Sequence, residues 1–156
     1  MILPVVSIMA LAYVSISTRY DNIIQTISVG YKNNPNLIKA LIKVESNFRP
    51  DAHRCNEKED SRGLGQINRP TAIALERDPE QLFNPSYNIV TINLLILDLK
   101  KRYSRITDII AAYNAGSVKK TKEGRYINNS YVNNVYARFL LYSYANIIPD
   151  IIKGGI

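Results

Sequence analysis

The sequence predicts a small, mainly helical domain. Three observations carry that reading: apolar residues recur at helical spacing over most of the chain, proline, asparagine and glycine fall where helices start and stop, and turn formers concentrate in one short stretch. Its 156 residues, 46% hydrophobic and 21% charged, suffice for one core without disulfides or a structural metal.

Taken in order, residues 1–19 form a hydrophobic N-terminal segment, read as a signal peptide, a membrane anchor or a packed helix. Met1 to Ser17 has no charged side chain and Arg19 closes it. Ala10-Leu11-Ala12 is similar to a cleavage site, but a basic leader region is missing. The main domain spans 20–146. Asp21 is expected to cap a short helix carrying Ile23, Ile24 and Ile27, and Asn34-Pro35, a cap followed by proline, opens a second from Pro35 to Ser46. Asp51 to Ile67, rich in Asp, Asn, Ser and Gly, reads as a loop or short hairpin.

Pro70 opens a short helix through Arg77, and Pro79 and Pro85 break the chain again. Ser86 to Tyr103, apolar on nearly all sides, is expected to be a central buried helix. Thr107 caps a helix to Ala115, which Gly116 stops in the left-handed conformation. Ser117 to Asn129 is a basic loop, Ser130 to about Asn146 is the last helix, and 147–156 is a C-terminal tail.

Lys and Arg exceed Asp and Glu by 20 to 13, a formal charge of +7 with a pI near 9.5, which suits an anionic partner such as a cell-wall polymer, a nucleic acid or a membrane surface. Lys100, Lys101, Arg102 and Arg105 cluster, as do Lys119, Lys120 and Lys122, but no recognition helix or aromatic platform accompanies them, so no nucleic acid is expected. A single cysteine, Cys55, forbids an intrachain disulfide. With His53 it offers two adjacent ligands and nothing evident to complete a tetrahedral set, so no metal and no cofactor are expected.

Glu45 is the candidate catalytic residue. Ile38, Leu41 and Ile42 precede it by seven, four and three residues, so it extends the apolar stripe of its helix and faces inward. Lost hydration and the negative end of the helix dipole both favour its protonated form, which a general acid needs at neutral pH. Taken alone it reads first as an ordinary helix-end carboxylate paired with Arg or Lys. Its company changes that. Gly63-Leu64-Gly65-Gln66-Ile67 lets a backbone approach a ligand while Gln66 offers a donor and an acceptor, and Ala111-Ala112-Tyr113-Asn114-Ala115-Gly116 combines small packing residues with a hydroxyl and an amide.

These motifs resemble the soluble-lytic-transglycosylase-type catalytic domain of the lysozyme-like superfamily. The resemblance runs from Leu37–Phe48, with its Glu-Ser pair at a helix end, through Gly63–Ile67 and Ala112–Gly116 to Tyr131-Val132 and Val135, and covers roughly residues 20 to 145. It implies a small lysozyme-like helical domain with a loop or short hairpin between the catalytic helix and the Gly-Leu-Gly-Gln motif. It also implies that Glu45 alone is the acid/base, protonating the oxygen between N-acetylmuramic acid and N-acetylglucosamine and then taking the proton of the muramic acid C6 hydroxyl. A 1,6-anhydromuramoyl end results. Gln66 and Asn114 match positions that hold sugar and acetamido groups, Tyr113 and Tyr131 match tyrosines of the catalytic pocket, and Ser46 and Ser61 are candidates for supporting hydrogen bonds.

The chain departs from the family pattern at Gly65, where methionine is common; that predicts a lost apolar contact in the groove. It departs again in an acidic loop of Glu57, Glu59 and Asp60. Animal lysozymes are similar to Asp60–Asn68 but place an aspartate five residues before the glutamine; that position here is Ser61, one step from Asp60. The alternative is therefore a lysozyme-type muramidase using Glu45 with Asp60 as a second carboxylate. A third reading is a non-catalytic wall-binding or nucleic-acid-binding module. Peptidoglycan strands are the implied partner, with a membrane through residues 1–17 and a larger secretion or phage assembly as further ones. The implied setting is the cell wall or periplasm, reached by export, a membrane anchor or a virion.

Overall fold

The computed structural model describes residues 18–153, with side chains through residue 145; the expectations for residues 1–17 lie outside them. The elements are α1 (Asp21–Gly30), α2 (Pro35–Ser46), β1 (His53–Asn56), β2 (Glu59–Arg62), β3 (Ile67–Asn68), α3 (Arg69–Ala74), a 3-10 turn (Pro79–Phe83), α4 (Pro85–Lys100), α5 (Ile106–Ala115) and α6 (Asn129–Lys153).

Local chemistry sets most boundaries. Asn34 caps α2 by accepting from the Asn36 N–H at 2.9 Å, with Pro35 in the first turn. The helix ends at Asn47 in the left-handed conformation, φ 52°, a region that asparagine tolerates better than most residues. Gly116, at φ 74°, stops α5 as expected. Asp21 is not the cap of α1 but its first residue, after Tyr20. Its carboxylate accepts from the Thr18 backbone N–H and hydroxyl and pairs with Lys39 at 2.8 Å. Thr107 does not cap α5 either: Arg105 takes that position, and the Thr107 hydroxyl accepts from Tyr126. Helix α3 stops at Ala74, short of Arg77, and α6 continues past Asn146 to Lys153.

Helix α4 is the centre, contacting α1, α2, α5 and the 3-10 turn, while α2 packs on α6 and α6 on α5. Ile38, Leu41 and Ile42 of α2 meet Ile89, Ile92 and Ile96 of α4, Ile110 of α5 and Val135 of α6 in one core, all fully buried. Each such side chain contributes on the order of 2 kcal/mol. Asn88, Thr91 and Asn93 are also fully buried in α4, and each makes hydrogen bonds, as burial of polar groups demands.

The polar stretch after α2 is an antiparallel three-stranded sheet in the order β1-β2-β3. Its register pairs His53 with Arg62, Arg54 with Ser61, Cys55 with Asp60 and Asn56 with Glu59. Successive residues of a strand point to opposite faces. The hairpin therefore has one face carrying Arg54, Asn56, Glu59 and Ser61, and another carrying His53, Cys55, Asp60 and Arg62.

Candidate active site

A cleft of about 690 Å³ runs between the end of α2, the first hairpin face, the Gln66 loop and the end of α5. It is lined by Glu45, Arg54, Glu59, Ser61, Gln66, Tyr113 and Asn114 among others. Glu45 sits one residue from the end of α2 and is partly buried. The Tyr131 hydroxyl, arriving from α6, donates to its Oε1 at 2.5 Å. Burial pushes the Glu45 carboxyl up to about 7; the Tyr131 hydrogen bond and the charge of Arg54 act against that rise, and the charge of Glu59 adds to it. A carboxyl so poised holds its proton near neutrality and still releases it, which suits an acid that must later serve as a base. Burial, reinforced by the Glu45 charge, also raises the hydroxyls of Tyr113 and Tyr131 well above the usual tyrosine range, so both act as donors.

The Gln66 loop is held from beneath. The buried Asn88 side chain accepts from the Gly65 N–H at 2.8 Å and donates to the carbonyls of Arg62 and Leu82. Gly63 takes φ 73°, and a Cβ there would lie 2.1 Å from the Leu82 carbonyl oxygen. Tyr113 donates to the Gly65 carbonyl at 2.8 Å. Gln66, itself at φ 46°, donates its amide N–H groups to Ala52 and Gly63 carbonyls. Asn114 accepts from Asn128 at 2.9 Å, and Asn128 also donates to the Ala111 carbonyl, tying the basic loop to the cleft wall.

Glu45, Gln66, Tyr113, Asn114 and Ser61 thus meet in one cleft, with Tyr131 on the Glu45 carboxylate. Ser46 is not brought in: its buried hydroxyl bonds the Ile42 carbonyl within its own helix. Nor is Asp60. It lies on the outer hairpin face, where Arg62 grips both its oxygens at 2.8 and 2.9 Å and His53 reaches it at 2.9 Å, and the Arg62 and His53 hydrogen bonds hold its carboxyl below the usual range. The hairpin also sets Asp60 beside His53 and Cys55, their ligand atoms within 4.8 Å of one another, a third neighbour that sequence spacing did not reveal.

Gly65 also departs from expectation. A side chain there would point at Ile92 (2.5 Å) and the Tyr113 hydroxyl (2.8 Å), not into the groove. The space a side chain at this position would need is filled by Ile92 of α4 and by the Tyr113 hydroxyl that grips the loop. Nothing in the sequence marks Asn128 as part of the site, and the only signal for Asn88 is an amide inside an apolar run.

The profile of the transglycosylase SLT domain matches residues 22–135, and so spans every cleft residue described above. The chain belongs to the transglycosylase SLT-domain family. In three dimensions this SLT domain is similar to the 70 kDa soluble lytic transglycosylase of Escherichia coli, with a TM-score of 0.66 and 21% identity over 80% of the chain. The domain spans 24% of that protein's length. The likeness establishes the lysozyme-like helical fold. A search of curated protein sequences found no match.

Proposed function

We propose that this SLT domain is a peptidoglycan lytic transglycosylase that cleaves the β-1,4 bond between N-acetylmuramic acid and N-acetylglucosamine, with Glu45 as its acid and base. The observation that carries the proposal is the partly buried Glu45 carboxyl, raised to about 7 and held by the Tyr131 hydroxyl inside the cleft. Protonated Glu45 gives its proton to the bridging oxygen as the bond to the muramic acid anomeric carbon breaks. The resulting carboxylate takes the proton of the C6 hydroxyl, whose oxygen closes on that carbon. The Tyr131 hydrogen bond strengthens as Glu45 becomes charged, so it favours the first step and restrains the second.

Gln66 spends its N–H groups on the loop, which leaves Oε1 as the atom it offers to an acetamido N–H or a sugar hydroxyl. Asn114, whose Oδ1 receives Asn128, offers its amide N–H groups. The substrate locates the work in the cell wall or periplasm. Among the described residues no helix is long and apolar enough to cross a membrane.

The test is Glu45→Gln on purified peptidoglycan, with circular dichroism to establish that the variant is folded. Release of soluble muropeptides is expected to vanish. Retained release would overturn the proposal.

A further inference from the structure

The β1–β2 register brings an acid into the cleft, and it is not Asp60. Glu59 and Ser61 share the cleft face of β2 and line the same cavity as Glu45. The Glu59 carboxylate is aimed by its neighbours. Its Oε1 accepts from the Ser61 hydroxyl at 2.7 Å and from Arg54 at 3.3 Å. Ser61 is only 3% exposed, so the hydroxyl that orients Glu59 is anchored within the sheet, directly across from Arg54.

We propose that Glu59 is the charge-stabilising carboxylate of the cleft, its negative charge offsetting the positive charge that develops on the sugar ring as Glu45 protonates the leaving oxygen. Glycoside cleavage passes through an oxocarbenium-like state, which is where a fixed anion acts differentially. Glu59 forms no bond and moves no proton, so the step remains the two proton transfers of Glu45. Ser61 is the positioning residue that holds it. This inference rests on the transglycosylase reading and adds a charged carboxylate to it.

The charged and titratable groups around Glu45 are Tyr131 from α6, Tyr113 from α5, Arg54 from β1 and Glu59 from β2. The Glu59 charge helps Glu45 keep its proton. Its removal therefore lowers the Glu45 midpoint and moves the alkaline limb of the rate profile to lower pH. A merely structural residue would leave that limb in place.

The experiment compares wild type, Glu45→Gln, Glu59→Gln, Glu59→Asp and Ser61→Ala in kcat, KM, pH profile and melting temperature on purified peptidoglycan. Glu59→Gln is expected to lower kcat by on the order of tenfold or more with KM little changed, and to shift the alkaline limb downward. Glu59→Asp, which keeps the charge, is expected to restore the limb, and Ser61→Ala to give a smaller loss of kcat. Unchanged kcat and limb in Glu59→Gln, beside an inactive Glu45→Gln, would overturn the role of Glu59 alone; a rise confined to KM would do the same. Activity in Glu45→Gln would instead overturn the underlying reading.

Discussion

Replacing Tyr131 by phenylalanine removes one hydroxyl from beside Glu45 while keeping the ring that fills its place. That hydroxyl donates to Glu45 Oε1 at 2.5 Å, a length typical of a strong hydrogen bond to a carboxylate. Hydrogen bonds to charged groups are worth about 1.5–3 kcal/mol, and the part that distinguishes the ionised from the protonated acid appears directly as a pKa difference. The bond favours ionised Glu45 and so lowers a midpoint that burial raises to about 7. Its loss should therefore raise the midpoint by about one pH unit. Because the first step needs protonated Glu45, activity is present below the midpoint and is lost as pH rises through it. The assay is kcat/KM for muropeptide release across the neutral range, which reports the free enzyme. Tyr131→Phe is expected to move the alkaline limb upward while lowering the maximal rate, since the hydrogen bond that strengthens during the first step is gone. A limb that stays put or moves down would refute the role given to Tyr131.

Two further predictions concern stability. The Glu45 carboxyl goes from 4.5 as its ordinary value to about 7 in the folded protein, so ionising it costs the folded state; that cost is absent below the ordinary value and complete above the raised one. Glu45→Gln should therefore stabilise the protein by up to about 3 kcal/mol at mildly alkaline pH and by much less at mildly acidic pH. Urea denaturation at the two conditions checks this, and an equal gain at both would contradict it. Gly65→Ala puts a methyl 2.5 Å from Ile92 and 2.8 Å from the Tyr113 hydroxyl. Overpacking of that kind costs about 1–3 kcal/mol, and the displaced Tyr113 should take activity with it; an unchanged melting temperature and rate would show that the loop has room.

The helices and the position of Glu45 were legible because they depend on local chemistry and on one periodicity. Asn34-Pro35 starts α2, Gly116 ends α5, and the stripe of Ile38, Leu41 and Ile42 turns Glu45 inward. The hairpin was not legible at the resolution function needs. Asp60 and Glu59 are one residue apart, and in a strand a single step exchanges the two faces. Only the pairing of Cys55 with Asp60 and of Asn56 with Glu59 decides which acid enters the cleft. Asn88 and Asn128 carry no local signal, because Asn88 ties to Arg62 and Gly65 and Asn128 to the Ala111 carbonyl and the Asn114 side chain, partners 14 to 26 residues away. The lost groove contact expected at Gly65 fails for the same reason: the atoms that fill the space belong to α4 and α5.

In the proposed reaction Glu45 cleaves the glycan and closes the muramic acid ring on its own C6 oxygen. Digestion of purified peptidoglycan in ¹⁸O-labelled water, followed by mass spectrometry of the released muropeptides, tests it most directly. Muramoyl ends one water lighter than hydrolysed ends and free of label are expected. Hydrated ends carrying ¹⁸O, formed by the wild type and not by Glu45→Gln, would contradict it.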